Sequence, residues 1–105
     1  MALYSLVYLP AARQDMVEIV RYISRELKNP AAANHVAAEL IEAVNRLPEF
    51  PYAYPAYIPI RTLKNEYRKL LVANYLIFYC VDDCEKVITV ARVIYAKRNY
   101  HLLLD

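Results

Sequence analysis

The chain contains no glycine among its 105 residues, and this absence removes several classes of functional site. Dinucleotide-binding G-x-G-x-x-G turns and P-loops need backbone conformations and close approaches to phosphate that only glycine provides. The nucleophile elbow of a serine hydrolase is excluded as well, because glycines flank its serine and neither Ser5 nor Ser24 has one. Nucleotide-cofactor and serine-hydrolase chemistry are therefore not expected.

Cysteine is scarce, with only Cys80 and Cys84. Two thiols are too few for a disulfide scaffold, and neither His35 nor His101 stands at the spacing of a zinc ligand from them. We therefore expect buried or incidental thiols in a reducing cytoplasm, with no metal ion and no cofactor.

No apolar run is long enough to cross a membrane. The longest, residues 70–81, is interrupted by Asn74 and is shorter than the roughly 20 residues that span a bilayer. Residues 1–12 lack the basic start of a signal peptide, and an amphipathic segment follows them. We interpret residues 1–105 as one cytoplasmic domain, a length at which a single core can form.

The first half of the chain predicts a strand followed by two helices. Residues 3–9 are rich in β-formers and end at Pro10, which suits a first helical turn. An apolar stripe about five turns long follows, with charged residues such as Asp15 turned away from it. Asn29 and Pro30 then predict a helix cap and the start of a second amphipathic helix, so that the two helices form an antiparallel hairpin.

The second half predicts a loop and three strands. Residues 48–59 carry four prolines, which rules out a regular helix and predicts a stiff aromatic loop. Asn74 is expected to take a left-handed turn position in place of glycine. The β-pattern segments are 67–72, 75–81 and 86–95, with turns at 73–74 and 82–83.

Together these elements predict an α+β fold in the order β-α-α-β-β-β. Each helix has one apolar stripe, so both helices should pack on one face of a mostly antiparallel, four-stranded sheet. The other face of the sheet is expected to stay partly open.

The basic residues of the second half are the main candidates for a functional surface. A net charge of +2 does not by itself indicate a nucleic-acid partner, so clustering has to carry any such argument. Near Tyr67, Tyr95 and Tyr100, these cations could hold phosphate groups and stack a base, or they could be solvated rim charges. Arg92 lies in an apolar strand and needs a partner or an open face. The candidates are Arg61, Lys64, Arg68, Lys69, Arg92, Lys97 and Arg98.

Four motifs in order resemble the RelE/ParE toxins of bacterial type II toxin-antitoxin modules. The first two are N-P-x-A-A from Asn29 and L-x-x-F-P-Y from Leu47. The others are Y-R-K-L-x-V-x-N-Y-L-I-F-Y from Tyr67 and R-V-x-Y-x-x-R-x-Y from Arg92. The resemblance covers nearly the whole chain and implies a small toxin of RelE/ParE-like fold.

The resemblance also implies partners. A cognate antitoxin encoded by an adjacent gene would wrap the toxin, and the complex of the two could be an oligomer. Leu102, Leu103 and Leu104 are expected to contact the antitoxin. The seven cations named above are expected to bind the target. That target is DNA gyrase in the ParE-like branch, which poisons by binding, and the ribosome with its mRNA in the RelE-like branch, which cleaves the messenger.

Two leucines favour the ParE-like branch. The cleaving branch commonly has an arginine where this chain has Leu76, and a second basic residue is expected roughly at Leu70. These features leave open whether the protein is an enzyme. If it is a ribosome-dependent RNase, the expected catalytic residues are Arg68, Arg98 and Tyr100. The long helical hairpin also favours gyrase poisoning without hydrolysis.

Overall fold

Four strands form one mixed sheet, seen in a computed structural model that describes residues 4–59, 63 and 65–104. In chain order these strands are β1 (Ser5–Tyr8), β2 (Arg68–Val72), β3 (Tyr75–Asp82) and β4 (Val87–Tyr95). Their order in the sheet is β1-β4-β3-β2. β1 is parallel to β4, whereas the other two pairings are antiparallel. The predicted mostly antiparallel four-stranded sheet is confirmed.

Two helices form the predicted hairpin. α1 (Pro10–Arg21) continues directly into a π-helical turn, Tyr22–Glu26, which the sequence pattern does not predict. Lys28 then takes a left-handed conformation with φ of 52° and reverses the chain. α2 (Pro30–Arg46) starts as predicted, because the Asn29 side chain accepts a hydrogen bond from the Ala32 N–H at 3.1 Å.

The main core lies between the helical hairpin and one face of the sheet. Its residues come from both helices and from all strands, as expected when two apolar stripes cover one sheet face. Burial of aliphatic and aromatic groups here supplies the main driving force for folding. The buried members are Ala12, Leu40, Val44, Leu47, Leu70, Ile77, Tyr79, Ile88, Val90 and Val93.

A second, smaller core covers the opposite face of the sheet, which is less open than the sequence predicts. The aromatic loop and the C-terminal segment both fold across this face, so the apolar C-terminus has a place within the molecule. The chain after β4 forms a short 3₁₀ turn, Tyr100–Leu102. The buried members are Tyr57, Tyr67, Leu76, Phe78, Ala91, Ile94 and Leu104.

The hairpin turns form without glycine. Ala73 and Asn74 connect β2 to β3 with φ of 50° and 70°, so the left-handed position predicted for Asn74 is confirmed and Ala73 shares it. Lys86, with φ of 56°, completes the turn between β3 and β4. A bulge in β4 shifts the register between Phe78 and Tyr79, which changes the side-chain alternation just before Arg92.

Membrane-spanning helices and metal-binding clusters are both absent from the part of the chain that the structure describes. Neither helix there combines the length and apolar character of a membrane-spanning segment. In the same part of the chain, no three His, Cys, Asp or Glu side chains lie together as a metal site would require.

Candidate target-binding surface

The turn that follows β4 displays two of the predicted cations. Ala96 N–H donates to the Asn74 carbonyl at 2.9 Å, and Arg98 N–H donates to the Tyr95 carbonyl at 2.9 Å. These bonds fix the turn against the end of the sheet, while the side chains of Lys97 and Arg98 are exposed to solvent. Both are therefore placed where a partner could reach them.

Lys69 lies on the second face of the sheet, in a group of aromatic residues. Its ammonium nitrogen is 5.4 Å from the ring centre of Tyr57 and 5.5 Å from that of Tyr100, which are cation–π distances. The Tyr57 hydroxyl forms a hydrogen bond with His101 Nδ1, and Phe78 packs edge-on against Tyr57 at 5.4 Å. The predicted proximity of a cation to Tyr100 is thus present at Lys69.

Arg68 faces the other way, as expected from strand alternation. Its guanidinium lies 4.6 Å from the ring centre of Tyr52 and donates to the Tyr54 carbonyl at 2.6 Å. Glu66 is 3.9 Å away. Because all these contacts are with the aromatic loop or its flank, Arg68 fastens that loop to the edge strand, and only 19% of its side chain is exposed.

The aromatic loop has further anchors on the sheet. The Tyr79 hydroxyl donates to the Pro51 carbonyl at 2.8 Å, and burial raises the pKa of Tyr79 to about 12. Tyr52 donates to Asp83 at 2.5 Å, and Tyr4 donates to the other oxygen of the same carboxylate. These two hydrogen bonds lower the pKa of Asp83. The bond of Tyr4 to Asp83, together with burial, raises the pKa of Tyr4 to about 12.

Arg92 has a partner inside the protein. Its Nε and Nη2 donate to the two carboxylate oxygens of Asp15 at 2.7 and 2.8 Å, and its Nη1 donates to the Leu103 carbonyl at 3.1 Å. The bond to Asp15 raises the pKa of Arg92. The sequence predicts only that Asp15 lies away from the apolar stripe of the helix, and the structure shows in addition that it is buried, with 8% of its surface exposed.

The five predicted cations that the structure describes do not form one patch. Lys69 lies on the second face, Arg68 beneath the aromatic loop and Arg92 in the ion pair with Asp15, whereas Lys97 and Arg98 occupy the turn after β4. Arg61 and Lys64 lie outside the described residues. Among the described cations, Lys97 and Arg98 in the turn after β4 are therefore the most accessible to a partner.

The three C-terminal leucines have different environments. Leu102 is 71% exposed and Leu103 is half-buried, whereas Leu104 is 2% exposed within the second core. Contact with an antitoxin stays a prediction, and Leu102 is the member best placed for it. Leu104 serves the protein's own packing.

Sequence reasoning does not identify Asp15, Tyr57 and His101 as residues of this region. The sequence gives an indirect signal for Asp15, because an arginine within an apolar strand needs a partner or an open face, but it does not show which acid is the partner. His101 gives only the weak signal of a lone histidine after a basic pair, and Tyr57 gives none, since a proline-rich loop and a C-terminal tail have no periodicity that fixes their position on the sheet.

The fold is that of several solved toxins. One is from the chromosomal ParDE toxin-antitoxin system of P. aeruginosa, with a TM-score of 0.72 and 17% identity, covering 92% of this chain and 100% of that chain. Another is from the RelBE2 complex of Mycobacterium tuberculosis, with a TM-score of 0.63 and 17% identity over 88% and 96% of the two chains. A mutant E. coli toxin RelE in the free state has a TM-score of 0.65 and 18% identity, covering 99% of this chain and 94% of that one.

Sequence comparison assigns the family. The family model described as the ParE toxin of the type II toxin-antitoxin system parDE matches residues 6–100. No curated protein sequence matches the chain. The chain belongs to the ParE toxin family, within the RelE/ParE toxins of type II toxin-antitoxin systems.

Proposed function

We propose that the protein inhibits growth by binding and poisoning DNA gyrase in the cytoplasm, and that a cognate antitoxin neutralises it. The observation that carries this proposal is the burial of Leu70 and Leu76, which are 4% and 8% exposed. These leucines stand where the RNA-cleaving branch is expected to have basic residues. A leucine inside the core cannot stabilise the charge of a phosphate transition state.

The distribution of cations supports binding over hydrolysis. Phosphoryl chemistry requires charged groups that converge on one reacting centre. Here Arg68 is engaged by the aromatic loop and Arg92 by Asp15, while Arg98 lies in the turn after β4. A dispersed set of this kind suits an interface with a large protein.

An apolar groove on the outer side of the helical hairpin suits the antitoxin. It has a volume of about 460 Å³, and Val17 and Ile41 beside it are 47% and 46% exposed. Large apolar side chains grouped on a surface mark sites of protein association. We assign this groove to a helix or extended segment of the antitoxin, which binds such apolar surfaces through regularly spaced anchors.

A purified assay tests the gyrase target directly. The toxin should block supercoiling by gyrase, and addition of the antitoxin encoded by the adjacent gene should restore it. In cells, induction should raise a DNA-damage response before translation declines. Normal supercoiling with an early failure of translation would contradict the proposal.

The group around Lys69 favours a second candidate function, ribosome-dependent cleavage of messenger RNA. A cation, the Tyr100 ring and the Tyr57–His101 hydrogen bond lie together there, and such groups could bind RNA and move a proton. If this activity exists, Arg98→Ala and Tyr100→Phe should each reduce messenger cleavage in a translating extract. If the extract translates normally in the presence of the wild-type protein and its messenger stays uncleaved, this candidate is ruled out.

A further inference from the structure

A cleft of about 470 Å³ opens between the end of α1 and the end of β4. This volume lies within the range of roughly 300–1,000 Å³ that is usual for ligand sites. The cleft differs from the groove on the outer side of the hairpin, because it lies between the helix and the sheet. Its lining includes Glu18, Tyr22, Tyr75, Tyr95 and Arg98.

Three tyrosines form the aromatic part of this cleft. The rings of Tyr75 and Tyr95 pack edge-on with centres 5.7 Å apart, as side chains directly opposite on two antiparallel strands can. Tyr22 comes from the π-helical turn, a local irregularity that often occurs at functional sites, and it is 53% exposed. Tyrosine and arginine are among the residue types that most often carry binding energy at protein interfaces.

The floor of the cleft is the part of the β4 edge that no strand covers. β1 pairs with β4 only as far as Val90, so the rest of β4 extends beyond it. Ala96 N–H bonds to the carbonyl of Asn74 in the turn that leads into β3, and strand alternation therefore directs the backbone groups of Val93 and Tyr95 toward the side away from β3. Asp15 confirms this direction, because its carboxylate accepts the Val93 N–H at 2.9 Å. The Val93 carbonyl and the Tyr95 N–H consequently point into the cleft.

The charges of the cleft distinguish its two sides. On the helix side, Asp15 is neutralised by Arg92 and Glu18 contributes a carboxylate. Arg98 is exposed, and among the described residues no carboxylate lies within ion-pair distance of it. With Lys97 beside it, Arg98 makes the sheet side of the cleft positive.

We propose that an extended, acidic segment of the target protein binds in this cleft, adds to the edge of β4 as a strand and places a carboxylate against Arg98. Backbone bonds to Val93 and Tyr95 would supply affinity, as in other cases of strand addition. The tyrosines would flank the segment, and the carboxylate would set its register. This inference rests on the proposed function, since it assigns the surface through which gyrase is bound.

Photo-crosslinking to purified gyrase and DNA tests the location. Benzoyl-phenylalanine replaces Tyr22 in the cleft or, as a matched control, the 63% exposed Phe50 in the aromatic loop. The probe at position 22 should label one acidic, extended segment of gyrase, and the probe at position 50 should not. Equal labelling from both positions, or labelling of DNA or of a helical segment from position 22, overturns the proposal.

Charge reversal tests the chemistry. Arg98→Glu should weaken gyrase inhibition by about tenfold or more, because like charges would then meet, whereas Arg98→Lys should retain most of it. Melting temperature and antitoxin binding should stay unchanged in both variants. If the wild-type toxin inhibits gyrase and Arg98→Glu inhibits it equally, the cleft is wrong and the proposed function stands. If the wild-type toxin neither inhibits nor crosslinks, both are wrong.

Discussion

Asp15 on α1 and Arg92 on β4 form a two-point ion pair that joins three parts of the molecule. Its N–O distances are 2.7 and 2.8 Å, and the same carboxylate accepts the Val93 N–H. Arg92 also holds the Leu103 carbonyl. The pair therefore connects the helical layer, the free edge of β4 and the C-terminal segment.

Removal of this carboxylate should destabilise the protein. Asp15→Ala leaves a half-buried guanidinium without its partner and the Val93 N–H without its acceptor, which costs about 3 kcal/mol in free energy of unfolding. Chemical denaturation measures the cost, and hydrogen exchange should show faster opening around Leu103. Arg13→Ala, at an exposed position of the same helix, is the control and should change stability by no more than about 0.5 kcal/mol. A loss below about 1 kcal/mol for Asp15→Ala would contradict a structural role for the pair.

The hydrogen bonds of Asp83 should stabilise the attachment of the aromatic loop only within a defined range of pH. The folded pKa of Asp83 is lowered, so its bonds contribute stability above the usual value of 3.8 and lose it as pH falls through the lowered value. The contribution of Tyr4 depends on pH in the opposite direction. Its folded pKa is raised from 10.0 to about 12, so its contribution is present below pH 10.0 and is lost as pH rises through about 12.

An NMR titration of the tyrosines checks this assignment with an internal control. In Asp83→Asn the pKa of Tyr4 should fall back toward 10.0, because the negative charge that opposes its ionisation is gone. The pKa of Tyr79 should stay near 12, since burial raises it. If the pKa values of Tyr4 and Tyr79 both fall, the substitution has loosened the loop as a whole, and the charge of Asp83 is not the specific cause of the raised pKa of Tyr4.

Much of the fold could be predicted because it depends on periodicity. The helices follow apolar stripes, Asn29 and Pro30 mark the start of α2, and Asn74 marks a turn whose left-handed φ few residues accept. The side of a strand on which a residue lies is equally regular, which explains why Arg68 and Lys69 face opposite ways.

The functional surface was harder to predict because it depends on segments without periodicity. The bulge in β4 is one extra residue, and it changes the side to which Arg92 points. The path of the aromatic loop is set by bonds such as those of Tyr52 and Tyr79, which join residues far apart in sequence. A composition rich in basic residues cannot show that Arg68 is engaged within the protein.

The turn between β2 and β3 should accept glycine with a gain in stability. Ala73 has φ of 50°, a conformation that costs a residue with a Cβ about 1 kcal/mol or more. Ala73→Gly removes that steric cost and should raise the free energy of unfolding by about 0.5–1 kcal/mol, after allowance for the greater freedom of glycine when unfolded. Ala38→Gly, in the middle of α2, is the matched control and should lower stability by about 1 kcal/mol. Equal effects at both positions would show that the turn is not strained.

The outer groove of the hairpin should be required for neutralisation but not for toxicity. Ile41→Glu places a charge on the apolar surface beside Val17, so it should weaken antitoxin binding by about tenfold or more in a titration of the purified pair. Leu71→Glu is the control, because Leu71 is 64% exposed on β2 and lies outside the groove. Gyrase inhibition by Ile41→Glu alone should match that of the wild type. A variant that binds antitoxin normally, or that loses inhibition while still folded, would mean that this groove serves the target and not the antitoxin.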